Sequence, residues 1–197
     1  MKKRSGLIIA LISLLPMGQP LLNGKGALFI GTTVILSVPD KLRAEDAAFY
    51  YNRGVVNSSA GDYEEALYFY NKAIKINPQF GPAYNNRGNI KEKISDFKGA
   101  ISDYSIAIKL MPNDSRIYQT YENRSKVKMR LKDYQGAISD IEESLKINPT
   151  NQLGYALRGA LREMLGDMKG ACSDMRKANS LGDNEDIAAY ARIICSL

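Results

Sequence analysis

Between residues 47 and 183 apolar and polar positions alternate in blocks with the three-to-four spacing of amphipathic helices. In the stretch opened by Gly81, Tyr84, Ile90 and Ile94 fall on one face of a first helix. Ala100, Ile101, Tyr104, Ile106, Ala107 and Ile108 give a second helix its apolar face. Ser95-Asp96-Phe97 separates the two. Gly61-Asp62-Tyr63, Lys132-Asp133-Tyr134 and Gly166-Asp167-Met168 occupy the same place elsewhere in the chain. Each Asp is suited to accept backbone N–H bonds at the start of the helix that follows. Asp62 and Glu65 also have capping-box spacing. Ile76-Asn77-Pro78, Met111-Pro112 and Ile147-Asn148-Pro149 close the pairs, because proline lacks an N–H and clashes with a preceding helical turn.

These pairs recur with a period of 34 residues, as from Pro78 to Pro112. Tyr50, Tyr84, Tyr121 and Tyr155 share one slot, and Arg53, Arg87, Arg124 and Arg158 another. Gly54, Gly88, Ser125 and Gly159 follow, then Ala66, Ala100, Ala137 and Ala171, then Ala73, Ala107, Ser144 and Ala178. A period of this size predicts stacked helical hairpins that share a continuous core. The Gly/Ser slot and the first Ala slot are predicted to face each other where the helices of a pair approach closely.

The pattern resembles the tetratricopeptide repeat family, whose repeat carries an aromatic at position 4, Gly at 8, Ala at 20 and 27, an aromatic at 24 and Pro at 32. Repeats at 47–80, 81–114, 118–151 and 152–183 bring these positions into register, with Ser115 to Ile117 inserted between the second and third. Position 24 holds Tyr70, Tyr104, Ile141 and Met175. The chain departs from the family at position 7, always Arg, and at position 11, which is Asn57, Lys91, Lys128 or Arg162. Asp183 replaces the fourth proline. The resemblance implies an all-α, right-handed α-solenoid of helix-turn-helix repeats over 45–183 and a non-catalytic, protein-binding function. Asp183-Asn184-Glu185-Asp186 is read as the cap of a final helix within 184–197, whose Ile187, Tyr190, Ala191, Ile194 and Cys195 form an apolar stripe.

Position 23 carries Asp103, Asp140 and Asp174 in the last three copies but Phe69 in the first. This tracking predicts ion pairs Arg87–Asp103, Arg124–Asp140 and Arg158–Asp174, with Arg53 in need of another partner. The alternative is that the arginines line a site for an acidic ligand.

The resemblance further implies a concave groove lined by positions 2, 5, 9 and 12 of the first helices. Here these include Tyr51, Val55, Asn85, Asn89, Glu92, Glu122, Lys126 and Met129, then Ala156, Ala160 and Glu163. Asn52, Asn86 and Asn123 at position 6 lie beside them. An asparagine ladder suits an extended peptide backbone, since each amide both donates and accepts. The same amides could instead join neighbouring helices. Relatives that grip the acidic tails of heat-shock chaperones use Lys, Arg and Asn at set positions, of which this chain matches only Asn86. That carboxylate clamp is absent from its sequence.

Residues 1–44 differ in kind. Met1-Lys2-Lys3-Arg4 precedes an apolar run from Leu7 to Leu15, and a second run spans Ala27 to Val38. This resembles a secretory signal peptide or a membrane anchor. Each run is shorter than the roughly 20 apolar residues that span a bilayer. The repeats are accordingly expected to be exported or tethered at a bacterial membrane, with a soluble cytoplasmic adaptor as the alternative. Of the formal charge of +6, this segment carries +5 and residues 45–197 only +1. The folded part therefore lacks the basic footprint of a nucleic-acid binder.

The chain contains no histidine, so Ser–His and Cys–His nucleophile pairs are excluded. It has no phosphate-binding glycine loop. No cofactor, metal or catalytic residue is implied. Cys172 takes the apolar slot of Leu67, Ile101 and Ile138, and Cys195 the slot of Val56, Ile90, Val127 and Leu161. Both are expected inside, as a disulfide stapling the last helix or as two free thiols. The sequence leaves the oligomeric state open.

Overall fold

The structure, a computed structural model, describes residues 27–30, 33–36 and 40–196, with side chains from Asp46 onward. The run from Leu7 to Leu15 lies outside the described residues. Within the second apolar run, β1 (Ala27–Ile30) and β2 (Thr33–Leu36) pair antiparallel, with Ala27 opposite Leu36 and Ile30 opposite Thr33.

The repeat region is helical throughout. Its elements are α1 (Asp40–Ala60), α2 (Tyr63–Ile76), α3 (Gly81–Lys93), α4 (Phe97–Leu110), α5 (Ile117–Arg130), α6 (Tyr134–Ile147), α7 (Gln152–Met164), α8 (Met168–Ser180) and α9 (Glu185–Ile194). Successive helices pack on one another in order, so each hairpin is completed by the next. Helix α1 starts at Asp40, ahead of the first repeat. Among the described residues no helix is long and apolar enough to cross a membrane.

The hairpin turns share one conformation. Gly61, Ser95, Lys132 and Gly166 occupy the same slot, and all have positive φ, of 87°, 66°, 62° and 82°. The next residue's N–H returns to a carbonyl five residues back, from Asp62 to Asn57 and from Asp133 to Lys128, for example. This Schellman-type closure satisfies carbonyls left open at the helix end. The Asp then caps the second helix. Asp96, Asp133 and Asp167 accept from the N–H of Gly99, Gly136 and Gly170 at 3.0, 2.9 and 2.9 Å. Asp62 makes no such bond, against the capping-box expectation. The reason is local: a Cβ on Gly99 would sit 2.1 Å from the Asp96 carboxylate, and the equivalent residue after Asp62 is Glu65.

The core is a line of small layers. Ala66, Ala73, Ala100, Ala107, Ala137, Ala171 and Ala178 are fully buried, as are Tyr70, Tyr104 and Ile141 at position 24. The close approach differs from the sequence reading. A Cβ on Gly54 would meet the Tyr70 ring at 2.6 Å, and one on Gly88 the Tyr104 ring at 2.8 Å. The glycine slot thus accommodates the position-24 aromatic more than the facing alanine. Where that residue is Ile141, Ser125 fits instead, its hydroxyl donating to the Glu122 carbonyl at 2.8 Å.

Candidate functional site

Each repeat after the first contains a buried ion cluster. Arg87 Nε and Nη2 donate to Asp103 at 2.7 and 2.6 Å, Arg124 to Asp140 at 2.9 and 2.6 Å, and Arg158 to Asp174 at 2.9 and 2.7 Å. These are the pairs the sequence predicts. A second cation from position 11 joins each: Lys91 at 2.9 Å, Lys128 at 2.8 Å and Arg162 at 2.7 Å. Each guanidinium also lies over the ring three residues before it, 5.3 Å from Tyr84, 5.6 Å from Tyr121 and 5.5 Å from Tyr155. The third nitrogen reaches into the preceding repeat. Arg87 Nη1 donates to Asn71 at 2.6 Å, Arg124 Nη1 to Ser105 at 2.8 Å, and Arg158 Nη1 lies 3.9 Å from Glu142. These arginines are committed to joining helices and repeats. They do not line an acidic-ligand site. The Asp174 bonds hold the Arg158 pKa above its ordinary value.

Arg53 is the exception, because Phe69 replaces the aspartate. Its guanidinium lies 4.8 Å from the Phe69 ring centroid, and the other cation of the cluster is replaced by Asn57. Positions 11 and 23 therefore change together around an invariant Arg.

The asparagines of the first helices form bridges. Asn86 donates to the Tyr51 hydroxyl at 3.1 Å, Thr120 to Asn85 at 2.9 Å, and Asn123 to Asn89 at 3.2 Å. Asn89 also accepts from the buried Tyr104 hydroxyl at 2.8 Å, with Glu92 at 3.3 Å from the same hydroxyl. Burial, then the Glu92 charge, raise the Tyr104 pKa well above its ordinary range. Tyr51, Asn85, Asn86, Asn89 and Asn123 line a polar cleft of about 340 Å³, which Asp114 and Arg116 also border. Glu122 accepts from Ser144 at 2.8 Å and from Asn151.

A larger cleft, of about 630 Å³, opens further along the same helices. Leu153, Ala156, Leu157 and Ala160 of α7 form its floor. Glu122 and Lys126 of α5 border one side, and Ile187 and Tyr190 of α9 the other. Of the predicted groove residues, Glu122, Lys126, Ala156 and Ala160 reach this cleft. Asn52, Val55, Glu92 and Met129 line neither; Asn52 is exposed, and Val55 and Met129 pack against core clusters. Leu153, Leu157 and Tyr190 were not among the predicted site residues. For the two leucines the signal was present at positions 2 and 6 of the fourth repeat, which hold Pro82 and Asn86 in the second and Gln119 and Asn123 in the third.

Helix α9 forms a wall of the cleft through a register one residue away from the sequence reading. Ile187 and Ile194, seven apart, are buried, and Ile194 takes the slot assigned to Cys195. Cys172 and Cys195 are half-buried and joined by a disulfide, with α-carbons 4.9 Å apart. Tyr190 donates to Glu163 across to α7. That bond, then burial, raise the Tyr190 pKa. Among the described residues no group of three or more His, Cys, Asp or Glu could hold a metal ion.

Stacked hairpins with a cleft along their first helices define a helical-repeat scaffold. The chain is a tetratricopeptide repeat protein. The family matches residues 47–80 and again 118–151. No curated protein sequence matches the chain. Among solved structures, YrrB, described as a tetratricopeptide repeat protein with an unusual peptide-binding site, is 20% identical, with a TM-score of 0.68 and 79% of each chain covered. MamA from Desulfovibrio magneticus RS-1 is 18% identical with a TM-score of 0.68, over 76% of this chain and 84% of that one. The first repeat domain of Spaghetti, bound to an HSP90 peptide, is 24% identical with a TM-score of 0.58, over 62% and 95%. These likenesses establish the fold. Repeats of this family are protein-interaction scaffolds that present extended binding surfaces.

Proposed function

We propose that the chain is a non-catalytic scaffold or assembly factor that holds a peptide segment of a partner protein in the apolar cleft between α5, α7 and α9. The observation that carries this reading is the cleft itself: an apolar floor of Leu153, Ala156, Leu157 and Ala160, with Leu153 67% exposed, bordered by charged and tyrosine side chains. Small residues at positions 5 and 9 leave space, and leucines at 2 and 6 supply surface to bury. A bulky apolar side chain of the peptide is the anchor that such a cleft suits. Peptides selected from a random library on the immobilised protein should share an aliphatic or aromatic anchor, and Leu157→Asp should weaken them at least about tenfold. Peptides with no apolar anchor, or unaffected by Leu157→Asp, would sink the reading.

The scaffold works outside the cytoplasm or tethered to a bacterial membrane. The cationic start, the two apolar runs and the Cys172–Cys195 disulfide support this together. Fractionation with mass determination of the N-terminus tests it. A chain shortened to near Glu45, or an intact chain in the membrane fraction, is the expected result. An intact chain in the soluble cytoplasm would favour the adaptor alternative.

A further inference from the structure

The repeat-to-repeat contact uses positions 3 and 10 of each first helix, and one copy of that contact is open. Ala83 and Ile90 are 0% and 1% exposed, Thr120 and Val127 4% and 0%, and Ile187 and Ile194 8% and 2%. In the first repeat the same positions hold Phe49 and Val56, exposed by 57% and 69%. Between them sits Arg53. Its counterparts Arg87, Arg124 and Arg158 each find an acceptor in the second helix of the preceding repeat, at Asn71, Ser105 and Glu142. Arg53 has neither that acceptor nor an aspartate in its own hairpin among the described residues.

We propose that the exposed face of α1 docks an amphipathic helix of a partner protein, which lays apolar residues on Phe49 and Val56 and brings a carboxylate to Arg53. The remaining repeats show the geometry: the occupant takes the place of a preceding second helix. Three features select a different polypeptide as the occupant. Residues 1–39 contain no Asp or Glu and carry four Lys or Arg, so the chain's own leader cannot supply the carboxylate. Two copies meeting face to face would oppose Arg53 to Arg53. Head-to-tail stacking is blocked because α9 covers α8, where the acceptor position holds Arg176 and the residue of α9 equivalent to Arg53 is Ala191.

The probe is a hydrocarbon-stapled peptide of residues 134–147, the sequence of α6, whose Glu142 stands at the acceptor position. Titrated against the full chain by fluorescence anisotropy, it should bind saturably. A Glu142→Lys peptide should bind about tenfold more weakly, and Arg53→Glu in the chain should reverse that order. Val56→Asp should abolish binding, with circular dichroism confirming an intact fold, whereas Leu157→Asp in the apolar cleft should leave it unchanged. Equal affinity of the two peptides, survival of binding in Val56→Asp, or no binding would overturn the proposal. So would a dimer in sedimentation that Val56→Asp dissolves, or a crosslink from position 49 to residues 1–39. A dimer assigns the face to a second copy, and the crosslink assigns it to the leader.

Discussion

At the scale of single residues, the arginine of each repeat after the first is held by three unlike interactions: a bidentate carboxylate, a tyrosine face and an acceptor in the previous repeat. Asp140 is 3% exposed and faces Arg124 and Lys128 together. Asp140→Ala should therefore leave two partly buried cations unpaired and cost about 3 kcal/mol in urea unfolding. Removing one of several surface charges would cost far less. Tyr104 makes a second prediction. Its folded pKa lies above the ordinary value of 10.0, so the unfolded chain loses the proton first as pH rises. Its contribution is intact below pH 10 and is lost from there upward. Tyr104→Phe should flatten the alkaline fall in melting temperature; an identical fall in both proteins would refute that assignment. The pairing of Arg with Asp was legible in the sequence because an Asp follows the Arg at the same 16-residue spacing in the last three repeats, with Phe69 in its place only in the first. The asparagines were not legible in the same way. Their slot is fixed by spacing, but only the structure shows Asn86, Asn85 and Asn89 bonded across to neighbouring helices.

At the scale of the helical hairpin, two constraints are met by opposite residue choices. The close approach requires absence of a side chain, so Gly88→Leu should drive a branched chain into the Tyr104 ring and cost about 1–3 kcal/mol. A variant as stable as the parent would mean that α3 and α4 pack in another register. The turn requires a left-handed residue, and Ser95 and Lys132 adopt it where Gly61 and Gly166 do so freely. Lys132→Gly should therefore raise stability by about 0.5–1 kcal/mol, after the greater flexibility that glycine gives the unfolded chain is subtracted. Chemical denaturation would register the gain as a higher midpoint at unchanged slope. The turn was visible in the sequence as a break before Asp, but its handedness was not, since Ser and Lys do not announce a positive φ. The N-cap was likewise only half visible. The Asp is common to all four turns, whereas the bond to it forms where glycine follows three residues on.

Across the whole molecule the two ends of the stack are finished differently. The C-terminal end is covered by α9, which fills the repeat-to-repeat slots with Ile187 and Ile194 and is tied to α8 by Cys172–Cys195. In a linear stack the last helix has a neighbour on one side only, so it is the first to detach. The covalent tie opposes that detachment by limiting the freedom of the released segment. For a separation of 23 residues the loop-closure contribution is about 3 kcal/mol. Because Ile187 and Tyr190 form a wall of the apolar cleft, stability of the end and shape of the cleft are linked. Cys195→Ser should accelerate amide exchange in α9 while α3 to α6 keep their protection. It should also weaken a cleft-bound peptide without touching a residue that lines the cleft. Uniform loss of protection along the chain would mean that the helices unfold as one unit, and unchanged peptide affinity would mean that the floor of α7 suffices without its wall.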